Sequence, residues 1–166
     1  MTCRDTLICR TDRNSDFTCR RCRALVLAHN FLSGVQHRNH CPWCLWSRHM
    51  DLYRAGDRLS ACRGLMRPVG LALKRVEKKY GFNKPGELML VHWCEDCGRL
   101  SLNRIAADDD IQAILAVFRT SLALGQLERR HLEAEGIYLL EEDDYCLVEA
   151  QLFGWQRVTL AETCWN

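Results

Sequence analysis

Six of the eleven cysteines in this 166-residue chain stand in three C-x-x-C pairs, Cys19/Cys22, Cys41/Cys44 and Cys94/Cys97. Thiolates at that spacing bend through a knuckle so that both sulfurs reach one ion, the ligand pattern of structural zinc. The first two pairs, separated by eighteen residues, read as one four-thiolate site. Soft ligands in tetrahedral geometry select zinc, and iron is the alternative occupant of the same set. Cys62, Cys94 and Cys97 leave a second site one ligand short. His92 is nearest in sequence and is the expected fourth ligand, with His40 and His49 as the other candidates. Cys3 and Cys9 match no ligand spacing and receive no function.

An odd number of cysteines fits poorly with a disulfide framework. Arg4 and Asp5 interrupt the amino terminus where a secretion signal would need a continuous apolar core. The expectation is therefore a cytoplasmic protein, whose paired cysteines serve metal. A disulfide oxidoreductase would place one C-x-x-C in a βαβ setting, whereas these pairs sit among turns and short strands. No stretch approaches the roughly 20 apolar residues that cross a bilayer, so no membrane role is expected.

The formal net charge of +2 hides an asymmetry. Residues 1–107 carry nineteen Lys and Arg against nine Asp and Glu, and residues 108–166 carry four against twelve. An arginine-rich, metal-stapled part suits a polyanion, because the guanidinium fork matches phosphate oxygens and neutralising phosphates releases counterions. Compensation of zinc-bound thiolates is the competing use of the same charge. Arg20, Arg21, Arg23, Arg38, Arg48, His49, Arg58 and Arg104 are the expected nucleic-acid contacts. Trp43 and Trp46 would stack on unpaired bases or pack over the metal.

Positioning these groups calls for short strands and knuckles. Phe17–Thr18 and Ala24–Ala28 are expected to flank the first knuckle, and Leu88–Val91 to run directly into the third. Leu71–Tyr80 is expected to be a strand or short helix, and Lys84-Pro85-Gly86-Glu87 a turn. Asp108–Asp110 offer cap oxygens to a helix whose Ile111, Ile114, Leu115, Phe118 and Leu122 share one face. Leu127–Glu135 is expected to form a second helix stopped at Gly136. Ile137–Leu140 and Tyr145–Val148 are expected to form a hairpin, and Trp155 and Trp165 to pack in a core.

The expected fold is α+β: a small, zinc-ribbon-like, metal-stapled β-rich domain with an appended helical and hairpin region. The corresponding divisions are a tail at 1–15, a zinc-binding domain at 16–107 and an acidic extension at 108–166.

Around Arg38-Asn39-His40-Cys41-Pro42 the chain resembles the RNHCP domain proteins of bacteria. The likeness continues through Cys44-Leu45-Trp46-Ser47-Arg48-His49-Met50-Asp51, Gly56-Asp57-Arg58, Cys62-Arg63-Gly64-Leu65-Met66, His92-x-Cys94-x-x-Cys97-Gly98 and Asn103-Arg104-Ile105-Ala106-Ala107-Asp108-Asp109. It covers about residues 17–109. The resemblance implies a cysteine-rich metal-binding module with ties to translation and no assigned activity.

The leading expectation is a zinc-binding, non-catalytic module associated with RNA or the ribosome. The acidic extension would cover the basic face or dock on a protein partner. One alternative is a His-Asn-His-like nuclease using His40 or His49 with a hard metal held by Asp51, Asp57, Asp108 or Asp109. The other is a protein-interaction module in which zinc serves folding alone.

Overall fold

The computed structural model describes residues 15–74 and 86–154. Cys3, Cys9, Trp155, Trp165, residues 75–80 of the expected 71–80 element and residues 84–85 of the expected turn lie outside that set.

A two-stranded hairpin, β1 (Phe17–Thr18) with β2 (Leu25–Val26), carries the first knuckle in its loop. A one-turn helix α1 (Asn30–Ser33) leads toward the second knuckle. The main sheet is antiparallel, in the order β3 (Ser47–Arg48), β4 (Leu65–Lys74), β5 (Glu87–Cys94), β6 (Leu100–Arg104).

The two central strands are covered on both faces, which explains why their sequences read as near-continuous apolar runs. Leu71, Leu88 and Leu90 pack with Leu45 of the second knuckle against Ile114, Leu115 and Phe118 of α2 (Ile111–Leu122). Val69, Ala72 and Val91 face Leu132 of α3 (Gln126–Ala134). A bulge between Pro68 and Gly70 bends β4. Gly70 sits where a Cβ would come within 2.8 Å of Leu139 and 3.0 Å of Ser121, so this position must stay bare for α2 and the 139 segment to close on the strand.

Helix α2 starts where its sequence says it should. The Asp110 carboxylate accepts from the N–H groups of Gln112 and Ala113 at 2.8 and 3.1 Å. The expected hairpin at 137–148 does not form. Leu139 makes a bridge to Ala72, with Leu140 N–H donating to the Leu71 carbonyl at 2.9 Å, but Tyr145–Phe153 is a helix, α4. Glu142–Asp144 form a 3₁₀ turn that leads into α4, and Val148 is fully buried in the same cluster as Phe118. The helix wins because Tyr145, Val148 and Leu152 fall on one face that the sheet layer can cover. No helix among the described residues is long and apolar enough to cross a membrane.

Candidate metal centres

All three C-x-x-C pairs fold into the same knuckle. In each, the first cysteine's carbonyl accepts from the residue after the second cysteine: Arg23 N–H to Cys19 at 3.0 Å, Leu45 N–H to Cys41 at 2.9 Å, and Gly98 N–H to Cys94 at 3.1 Å. The first cysteine's own N–H closes the loop by donating to the carbonyl of Ala24, Trp46 or Arg99. That turn forces the residue after the pair into the left-handed region, with φ of 67° at Arg23, 60° at Leu45 and 73° at Gly98. Glycine adopts this conformation freely, and the other two residues are held there at a cost of about 1–2 kcal/mol each.

The hairpin and the second knuckle bring four sulfurs together. Cys19 Sγ lies 3.6 Å from Cys44 Sγ, Cys22 Sγ lies 3.6 Å from Cys41 Sγ, and all four fall within 4.8 Å of one another. The second tetrad consists of His49, Cys62, Cys94 and Cys97. Here Cys62 Sγ is 3.7 Å from Cys94 Sγ, and Cys97 Sγ is 3.2 Å from His49 Nδ1. Tetrahedral metal–sulfur bonds of about 2.3 Å set sulfur–sulfur edges of about 3.8 Å. Disulfides would need about 2.05 Å. Both donor sets therefore fit a metal ion.

Metal binding would offset opposing pressures on these thiols. The Ala24 backbone N–H holds Cys22 down at about 7, against its burial. Burial pushes Cys41 and Cys94 up to about 11, and pushes Cys44 higher still. Cys97 is burdened by burial, but the Arg99 N–H and charge and the neighbouring thiols bring it below its ordinary value. Burial and the nearby Arg99 charge lower His49, favouring the neutral imidazole that a metal requires.

The fourth member of the second tetrad is thus His49, and the expectation of His92 is corrected. His92 is wholly buried, and burial beside His40 lowers its pKa to about 3, so the ring is neutral. Its Nε2 donates to the Leu45 carbonyl at 2.7 Å and its Nδ1 accepts from the Asn103 side chain at 2.9 Å. Nε2 thus clamps the second knuckle to the sheet and Nδ1 ties β5 to β6, so both nitrogens are engaged. His49 reaches the cysteines because β3 pairs with β4, placing Arg48 opposite Leu65, and β4 in turn places Met66 opposite Cys94. No local spacing rule connects residues 49 and 94.

Arg38 and His40, at 3% and 2% exposure, are also removed from the surface. Arg38 grips Asp108 with Nη1 at 2.7 and 2.8 Å and Asp109 with Nη2 at 3.1 Å. His40 Nε2 lies 2.8 Å from Asp109 Oδ2, and the Asp110 N–H donates to the Pro42 carbonyl at 2.9 Å. Asn39 bonds Asp51 at 3.0 Å and accepts from Arg58. The five-residue motif thus ties the second knuckle to the start of α2. Arg38 and His49 are therefore corrected as nucleic-acid contacts, the first being internal and the second a candidate ligand.

The carboxylates considered for a hard metal are engaged elsewhere. Asp57 accepts four backbone N–H groups, from Leu52, Tyr53, Arg54 and Leu59, which hold it well below the usual carboxylate range. Asp51 accepts from Gly56 and Arg58 N–H, and Asp108 and Asp109 hold Arg38. Among the described residues the two cysteine tetrads are the groups able to hold a metal ion.

The remaining arginines divide into two sets. Arg104 is exposed on β6 and paired with Glu87 at 3.0 Å. Arg21 lies over the half-buried Trp46 at 4.9 Å, and Trp43 is 61% exposed rather than packed. Arg20, Arg48 and Arg58 line one cavity with Arg63, a residue the sequence reading passed over. The available signal was its place directly after Cys62, as Arg20 directly follows Cys19. Burial and the charges of Arg20, Arg63 and Arg58 lower the pKa of Arg48.

Two tetrads mounted on knuckles around a short antiparallel sheet define a cysteine-knuckle metal-binding domain. The RNHCP domain model matches residues 14–115, and the chain belongs to that family. No curated protein and no solved structure matches it.

Proposed function

We propose that this protein is a zinc-stapled, non-catalytic RNA-binding module that works on the ribosome or its RNA in the reducing cytoplasm. Zinc is the metal of this reading because S₄ and S₃N donor sets of tetrahedral size suit its softness and lack of redox chemistry. Cys19, Cys22, Cys41 and Cys44 would hold one ion, and His49, Cys62, Cys94 and Cys97 the other. Each ion would supply folding free energy rather than a reaction step.

The observation that carries the RNA reading is the convergence of Arg20, Arg48, Arg58 and Arg63 on one cavity. The exposed Arg21 and Arg23 beside the first knuckle add to the charge of that end of the molecule. The helices pack on the sheet through Phe118, Leu132 and Val148, and the acidic segment that precedes α4 leaves the carboxylates of Glu141 and Glu142 exposed for a protein partner.

The test is metal content by native mass spectrometry together with the salt dependence of RNA affinity. The expected result is two zinc ions and a steep fall in affinity with salt, by about 0.7 log units per log unit of salt for each phosphate neutralised. Salt-independent binding, or none, would instead favour the module in which zinc serves folding alone. Cosedimentation with ribosomal subunits at low salt tests the ribosomal part of the reading.

A further inference from the structure

Arg20, Arg48, Arg58 and Arg63 line a cavity of about 460 Å³ together with Asp16 and Phe17. The candidate metal ligands position three of them. Arg20 follows Cys19, Arg48 precedes His49, and Arg63 follows Cys62, so the cavity lies between the two centres. Arg20 Nη1 also spans the gap to donate to the Arg63 carbonyl at 3.1 Å.

Holding like charges together is unfavourable unless an anion joins them. Arg58 faces Asp51 at 3.8 Å, and Arg38, also on the wall, is held by Asp108 and Asp109. Among the described residues Arg20, Arg48 and Arg63 form no ion pair. Nor do they donate to a cysteine sulfur. Arg63 bonds Met50 Sδ and the Arg58 carbonyl, while Arg48 lies over Phe17 at 5.7 Å with its Nε buried and without a partner. The single opposing carboxylate is that of Asp16, whose Oδ1 accepts the Ala28 N–H at 2.8 Å. Three guanidinium charges against one carboxylate leave an excess of two.

A phosphodiester within a strand carries one negative charge and would leave the cavity unbalanced. A phosphomonoester carries about −1.5 to −2 at neutral pH and presents three acceptor oxygens, which suits several guanidinium forks at once. The volume also leaves room for the nucleoside that bears it. We infer that this cavity is a phosphomonoester site that takes the terminal phosphate of an RNA strand. The inference rests on the RNA-binding reading and names the part of the strand recognised.

The test uses the full metal-loaded chain and a short single-stranded oligoribonucleotide of one sequence with either a 5′-phosphate or a 5′-hydroxyl. Affinity is measured by fluorescence anisotropy at about 0.15 M salt, with inorganic phosphate as competitor. The phosphorylated strand is expected to bind at least about tenfold more tightly, a gap of the size that charge-assisted contacts supply. Arg20→Gln and Arg48→Gln should bring the ratio close to one while keeping both metal ions, and Arg130→Gln on α3 should leave it unchanged. Equal affinity of the two strands, still salt-dependent, would overturn the terminal-phosphate site and leave RNA binding standing. A ratio that persists in both cavity variants would also overturn it. Inorganic phosphate binding as tightly as the phosphorylated strand would show a small-anion site and overturn the strand-end assignment. Failure of both strands to bind would overturn both readings.

Discussion

His40 Nε2 and Asp109 Oδ2 meet at 2.8 Å inside the protein, joining the second metal knuckle to the residues that open helix α2. Asp109 also receives Arg38 at 3.1 Å and the Ala106 N–H at 2.7 Å, and its side chain is fully buried. One carboxylate thus satisfies two internal groups that can carry positive charge and one backbone donor. Asp109 is therefore an interior residue, while Asp108 holds Arg38 from the exposed edge.

Asp109→Ala is expected to destabilise the metal-loaded protein by about 3–5 kcal/mol, because it takes the shared acceptor from three buried groups, the His40 ring, the Ala106 N–H and Arg38 Nη2. Asp108→Ala should cost far less, about 1 kcal/mol, since that carboxylate is 39% exposed and Arg38 keeps Asp109. Urea unfolding followed by tryptophan fluorescence measures both.

His49→Ala and His92→Ala should separate ligation from packing. The first is expected to lower the metal content from two ions to one, or to leave the second ion weakly held. The second should retain two ions but lose about 2–3 kcal/mol, because it orphans the Leu45 carbonyl and the Asn103 amide. Native mass spectrometry with a parallel unfolding curve checks them. Two ions in His49→Ala with one in His92→Ala would reverse the assignment.

Arg23 and Leu45 share a left-handed backbone but differ in their surroundings. Arg23 is exposed, so Arg23→Gly relieves strain against a smaller entropic cost and should stabilise the fold by up to about 1 kcal/mol. Leu45 is fully buried in the main core, so Leu45→Gly should cost at least about 3 kcal/mol despite the same relief. Thermal unfolding in excess zinc gives both signs.

Removing metal with a chelator should act unevenly. The β1–β2 hairpin has two-residue strands and a core of little more than Val26, Cys19 and Cys41, too small to hold alone. Amide hydrogen exchange at residues 17–28 is expected to lose protection first. Amides of β5 and α2, packed through Leu90, Ile114 and Phe118, should keep more of theirs.

The knuckles were legible in the sequence because a C-x-x-C turn is local, and helix α2 was legible because its cap and apolar face lie within twelve residues. The expected hairpin at 137–148 failed for the opposite reason. Ile137–Leu140 and Tyr145–Val148 are apolar runs too short to show a period, and the available surface of the sheet and α2 decided between strand and helix.

By itself the sequence determined the metal chemistry: paired thiolates at knuckle spacing, a basic amino-terminal region and an acidic helical end. Tertiary structure alone decided that His49 and not His92 completes the second tetrad, because strand register across β3, β4 and β5 is a long-range property. It also decided which arginines face solvent. Arg38 and Arg48 are indistinguishable by type, yet one meets Asp108 and Asp109, some seventy residues away, and the other turns toward the cavity between the metal centres. Charge composition counts such groups, and only the pairing of distant segments determines which of them are neutralised.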